Sequence, residues 1–172
     1  MLRFFFGLSF IFFGVVTVVS AEAGAKPRPE KIQMDSPVIT RLDAVMSKAN
    51  ELRGALIQKK DPMVIMKIRE LNLALRDALE FHSAQEKQHL DRILNEARTS
   101  LERVHSTQGE DRRQQLQETF KQIVLIGQTY KLNDSYRFFF CQKDRSVWMQ
   151  KEGRPQNPIN PDTLLNCATQ VQ

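Results

Sequence analysis

The sequence predicts an all-α fold, an up-and-down four-helix bundle that carries a C-terminal β-hairpin and an extended strap. Three observations predict it. Four successive segments of about 20 residues place apolar side chains at steps of three and four, the period of one helix face. Short polar connections with helix-start chemistry separate them. After Lys131 that period stops, and aromatic and β-branched residues gather around a polar turn instead.

Asp35 or Ser36 can cap a first helix whose first position is Pro37, because proline lacks only an N–H that would be orphaned there. Its apolar stripe is Val38, Leu42, Val45, Ala49, Leu52 and Leu56. Lys59 and Lys60 suit the negative end of that helix, and Asp61-Pro62 repeats the start signal. The second stripe runs Val64, Ile68, Leu71, Leu75 and Ala78, widened by Ile65 and Leu79. Ser83-Ala84-Gln85-Glu86 reads as a capping box and breaks the chain before a third stripe of Leu90, Ile93, Leu94, Ala97, Leu101 and Val104. The fourth takes Leu116, Phe120, Ile123, Gly127 and Tyr130. Such segments cannot bury a stripe alone, and their short connections predict antiparallel packing. Leu125 points about 200° away from Ile123, so a cover for that back face is expected.

The tail opens with Tyr136 to Cys141 and Val147 to Gln150 around the polar turn Gln142 to Arg145, a hairpin pattern. A lone hairpin is marginal in water, so Phe138, Phe140 and Trp148 are expected to dock on the bundle, with Leu125 among their contacts. The alternative use of these three aromatics is a partner-binding patch. Pro155, Pro158 and Pro161 recur every third residue and favour an extended polyproline path with a solvated backbone. Asn160-Pro161 can start a brief turn through Leu164 and Leu165 that brings Cys167 near Cys141.

At the other end, Phe4 to Val19 is apolar behind Arg3 and is followed by small residues, the pattern of a secretory signal peptide cleaved after Ala21. The run is short for a membrane span, so no stable membrane insertion is expected after cleavage; retention as an uncleaved anchor is the alternative. The expected organisation is a signal peptide over 1–21, a flexible leader over 22–34, the bundle over 35–131, and hairpin and strap over 132–172. Arg3 is the only charge in the first segment, so its removal takes the net charge from +5 to +4. That modest, scattered surplus does not make the basic stripe nucleic-acid binding wants. A periplasmic or secreted address is implied.

Export changes how the cysteines read, since oxidising compartments pair thiols. A Cys141–Cys167 disulfide would pin the strap. The sharper alternative is a metal site of Cys141, Met149 and Cys167, soft ligands suited to Cu(I), with both thiols reduced. Zinc would want four good ligands, which are not visible. His82 and His89 flank the second connection and read as solvated, His105 has no evident partner, and Met63 and Met66 read as gap-filling core methionines. No nucleophile–base pair, glycine-rich phosphate loop or paired-carboxylate signature stands out, so a non-catalytic protein is expected.

Taken together, Cys141, Trp148-Met149, Asn157-Pro158 and Leu164-Leu165-Asn166-Cys167 resemble the C-terminal signature of a family of exported bacterial domains of unknown function. That family is sometimes appended to periplasmic adaptor subunits of heavy-metal efflux pumps. Its pattern is Cys-Pro-Met, a later Trp-Leu, Asn-Pro, and a closing Met-Leu-x-Cys-Gly. The resemblance implies an accessory role beside copper or heavy-metal homeostasis, with an envelope or efflux-system protein as partner. Here Gln142 and Lys143 stand in place of Pro-Met, Leu164 in place of methionine, and Ala168 in place of glycine, which removes two thioethers and leaves the cysteine and aromatic framework.

Overall fold

The computed structural model describes residues 30–80, 87–162 and 167–171. The expected signal peptide, most of the leader, the Ser83–Glu86 box, His82, Leu164 and Leu165 lie outside the described residues. Four helices come first: α1 over Ser36–Gln58, α2 over Asp61–Glu80, α3 over Lys87–Arg103 and α4 over Gly109–Thr129. A three-stranded antiparallel sheet follows, with β1 over Arg137–Cys141, β2 over Val147–Gln150 and β3 over Ala168–Val171. Its order is β2-β1-β3, so the central strand is the first in sequence.

The helical stripes explain the packing. Val64, Ile68, Leu71, Leu75 and Ala78 are all buried on α2, and Leu90, Ile93, Leu94 and Ala97 on α3 are buried with them. α1 contacts α2 and α4, while α3 contacts α2 and α4, so each helix has two helical neighbours. α1 ends where Lys59 takes a left-handed conformation (φ 55°) and its N–H returns to the Leu56 carbonyl. Asp35 stands at the N-cap position of α1, yet neither side-chain cap forms there. Tyr130 is not the last residue of the α4 face but its C-cap, extended and buried.

Two expectations about helix faces fail. Ile65 does not widen the α2 stripe; it is exposed. Leu125 is likewise exposed rather than covered by the hairpin aromatics. The buried residues of α4, from Gln122 and Ile126 through Ile123 and Gly127 to Phe120 and Val124, already sweep an arc of about 200° at 100° per residue. Leu125 falls outside it. The hairpin instead meets α4 at Gly127, where an added Cβ would lie 2.5 Å from Cζ of Phe138 and 3.0 Å from Cε of Met46. The missing side chain is what lets the Phe138 ring pass between α4 and α1.

The end of the expected leader is also tied down. Ile32 pairs with the C-terminal end of α4, its N–H donating to the Thr129 carbonyl at 2.8 Å and its carbonyl accepting from Lys131 N–H at 2.9 Å. Met34 is buried beside it. Phe138, Phe139, Trp148 and Met149 belong to the same continuous core as the helical stripes. Among the described residues, no helix is long and apolar enough to cross a membrane.

Candidate functional site

The tail is built around a bridge and two polar hubs. Cys141 and Cys167 form a disulfide with Cα atoms 4.9 Å apart, linking central strand β1 to the residue before β3. Cys141 is fully buried and Cys167 half-buried. Register explains why Met149 does not join them. Opposed residues share a face and successive residues alternate, so Phe138, Phe140 and Met149 lie on one side of the sheet, Phe139, Cys141 and Trp148 on the other. The three soft ligands therefore do not converge, and both sulfurs of the cysteines are engaged with each other.

The aromatic residues are placed by the same alternation. Phe138 and Trp148 are buried and Phe140 is half-buried. Trp148 is stacked on Phe139 with ring centroids 5.6 Å apart. Its Nε1–H is buried without an acceptor among the described residues.

The strap departs from the solvated polyproline path. Gln150, fully buried, donates through Nε2 to the Glu152 carbonyl at 2.8 Å, with the Gly153 carbonyl at 3.1 Å, and accepts from Gln156 N–H at 3.3 Å. Asp144, in the hairpin turn, accepts from the Ser146 hydroxyl at 2.6 Å, and from Asn157 and Asn160 side chains at 2.8 and 2.7 Å. Asn157 Oδ1 in turn accepts from Ile159 N–H at 2.9 Å, an Asx turn that buries Asn157, Pro158 and Ile159. The two hubs, rather than a solvated backbone, hold the strap's path. The Asp-x-Ser spacing of Asp144 and Ser146, a local turn signature, was the signal available in the sequence.

Burial pushes the Asp144 carboxyl up, but hydrogen bonds from the Ser146 hydroxyl, Asn160, the Ser146 N–H and Asn157 outweigh it and hold the group below the usual aspartate range. A depressed folded-state value means its stabilisation is complete above the unfolded value, near 3.9, and is lost as pH falls through the folded value. Asp144→Asn is therefore expected to cost about 1–2 kcal/mol at neutral pH. The gap from the parent should close in urea melts as pH falls through the depressed folded-state value; a gap independent of pH assigns the loss to shape rather than charge.

A second charged cluster joins α1 to α2. Lys48 lies 3.1 Å from Glu51 and 3.0 Å from Glu70, and Lys67 lies 2.6 Å from Glu51 and 3.0 Å from Glu70. The reciprocal hydrogen bonds raise both lysines and lower both glutamates from their ordinary values. On the same side Arg41 pairs with Asp77 at 3.2 Å.

The opposite side of α2 is different. Arg69, Asn72, Leu73 and Arg76 form one wall of a groove of about 440 Å³, and Arg98 and Glu102 of α3, with His105 just beyond the end of that helix, form the other. Leu73 is 63% exposed there. Arg98 is paired with Glu102 at 2.9 Å, whereas Arg69 and Arg76 have no acidic partner among the described residues. His105 is an exposed member of this wall. His89 bonds through Nδ1 with the Tyr130 hydroxyl at 3.1 Å. At the α1–α2 turn, Met63 is half-buried but Met66 is exposed, so the latter is not a core filler.

Comparison with protein-family models, curated proteins and solved structures returns no match.

Proposed function

We propose that this chain is an exported, non-catalytic binding or accessory protein of the periplasm or cell exterior, working beside copper or heavy-metal homeostasis. The Cys141–Cys167 bridge carries the reading, because a buried disulfide that closes a long tail belongs to an oxidising compartment. In this reading residues 1–21 are removed as a signal peptide, and the four helices stand as an up-and-down bundle with hairpin and strap as its cover. Asp144 and the Lys48–Glu51–Lys67–Glu70 cluster each hold two elements together, so these ionisable groups serve the fold.

A direct Cu(I) carrier using Cys141, Met149 and Cys167 is the lesser reading. It needs the bridge reduced and Met149 brought from the other sheet face. Fractionation of the producing cells followed by intact-mass measurement tests the main proposal. The expected result is an envelope protein beginning at Glu22, lighter than the dithiol by two hydrogens, whose deletion lowers growth under copper or zinc challenge. A cytosolic, uncleaved or free-thiol product, or unaltered metal tolerance, removes it. Stoichiometric Cu(I) uptake by the untreated protein would favour the carrier.

A further inference from the structure

We propose that the groove between α2 and α3 docks an acidic amphipathic segment of a partner protein, with an apolar side chain seated on Leu73 and carboxylates on Arg69 and Arg76. The proposal rests on reading the chain as a binding protein and names the chemical class of its partner. Its basis is an asymmetry in how α2 spends its charges. Glu70 and Asp77 follow Arg69 and Arg76 directly in sequence, but neighbours one residue apart do not face each other on a helix. Glu70 is taken up by Lys48 and Lys67, and Asp77 by Arg41, all on or toward α1. The arginines are left on the outer face, with Leu73 between them.

Among the described residues, three guanidiniums then line the groove with a single carboxylate, Glu102, which Arg98 already occupies. A guanidinium recognises carboxylates in a two-pronged geometry, and an exposed leucine flanked by two of them offers area that a simple anion cannot use. Arg69 and Arg76 are seven residues apart, about 10 Å along the axis at 1.5 Å per residue. That spacing matches acidic residues two turns apart on a partner helix, with apolar residues on the turn between. A second copy of this chain is a poorer occupant, because a symmetric contact would set arginines against arginines.

The probe is a fluorescein-labelled, alanine-based helical peptide containing Glu-x-x-Leu-Leu-x-x-Glu, titrated by anisotropy against the disulfide-bonded protein at low salt. Saturable binding is expected. Arg69→Glu with Arg76→Glu should weaken it more than tenfold and Leu73→Ser at least threefold, while Arg112→Glu with Arg154→Glu, the same charge change elsewhere, should leave it within twofold. Unchanged thermal melts of the variants show that the substitutions report binding, not folding. The proposal is overturned by absence of saturable binding, by equal weakening in the control pair, by equal affinity for peptides with Lys in place of Glu or Ser in place of Leu, or by displacement with inorganic phosphate. A negative peptide result from a bridged, envelope-located protein removes the groove assignment alone; a free-thiol cytosolic protein removes the broader reading instead.

Discussion

Cys167→Ser is expected to lower the unfolding free energy by about 3–4 kcal/mol, since the bridge closes a segment 26 residues apart in sequence and restrains the unfolded chain accordingly. For a chain of this size that is a fall in melting temperature of about 10 °C. The serine is the milder of the two replacements, because Cys167 is half-buried, whereas a hydroxyl at Cys141 would have to be buried entirely. Reducing the parent protein should reproduce the loss, and the reductant should then do nothing further to the variant. The effect has a location as well as a size. β3 is an edge strand held to β1 by its ladder and the bridge, so its amides should lose hydrogen-exchange protection before those of α2 and α3. A melting temperature that does not move in the variant or under reductant would show that β1 and β3 hold together without the covalent link.

What could be read in advance divides along the range of the interactions. Helix stripes are local: Leu42 and Leu52, or Ile93 and Ala97, are assigned by spacing alone, and they are buried. The hairpin strands were legible for the same reason, as was the pairing of the two cysteines once export was inferred. The third strand, Ala168–Val171, was not, because Ala-Thr-Gln-Val has neither strong alternation nor a turn marker and pairs only because β1 presents it with a free edge. Gln150 and Asp144 were missed as strap anchors because a polar hub has no period; its partners are backbone groups and amides up to 16 residues on. The groove was hidden more completely. Arg69-Glu70 and Arg76-Asp77 look like balanced charge in one dimension, and only the helix turn separates the paired acid from the unpaired base.

Trp148 tests whether the sheet is a cover laid on the helices or part of one core. Trp148→Ala is expected to cost about 3–5 kcal/mol, because the indole is fully buried and the cavity it leaves borders Phe139 on the opposing strand. Trp148→Phe should behave differently. The indole Nε1–H has no acceptor among the described residues, so phenylalanine discards a buried donor without losing a hydrogen bond there and gives up only part of the volume. Its cost should be about 1–2 kcal/mol, well below that of alanine, because the cavity left is only a fraction of the indole's volume. If urea melts show phenylalanine as damaging as alanine, the Nε1–H is satisfied in solution and the indole is held by polar contact as well as by packing. If instead alanine costs little while the helical signal melts unchanged, the sheet unfolds independently of the stripes. A shared core predicts a single transition, shifted together at 222 nm and in the near-ultraviolet aromatic band, since Phe138 beside Gly127 and Met46 makes the hairpin and two helices parts of one packed unit.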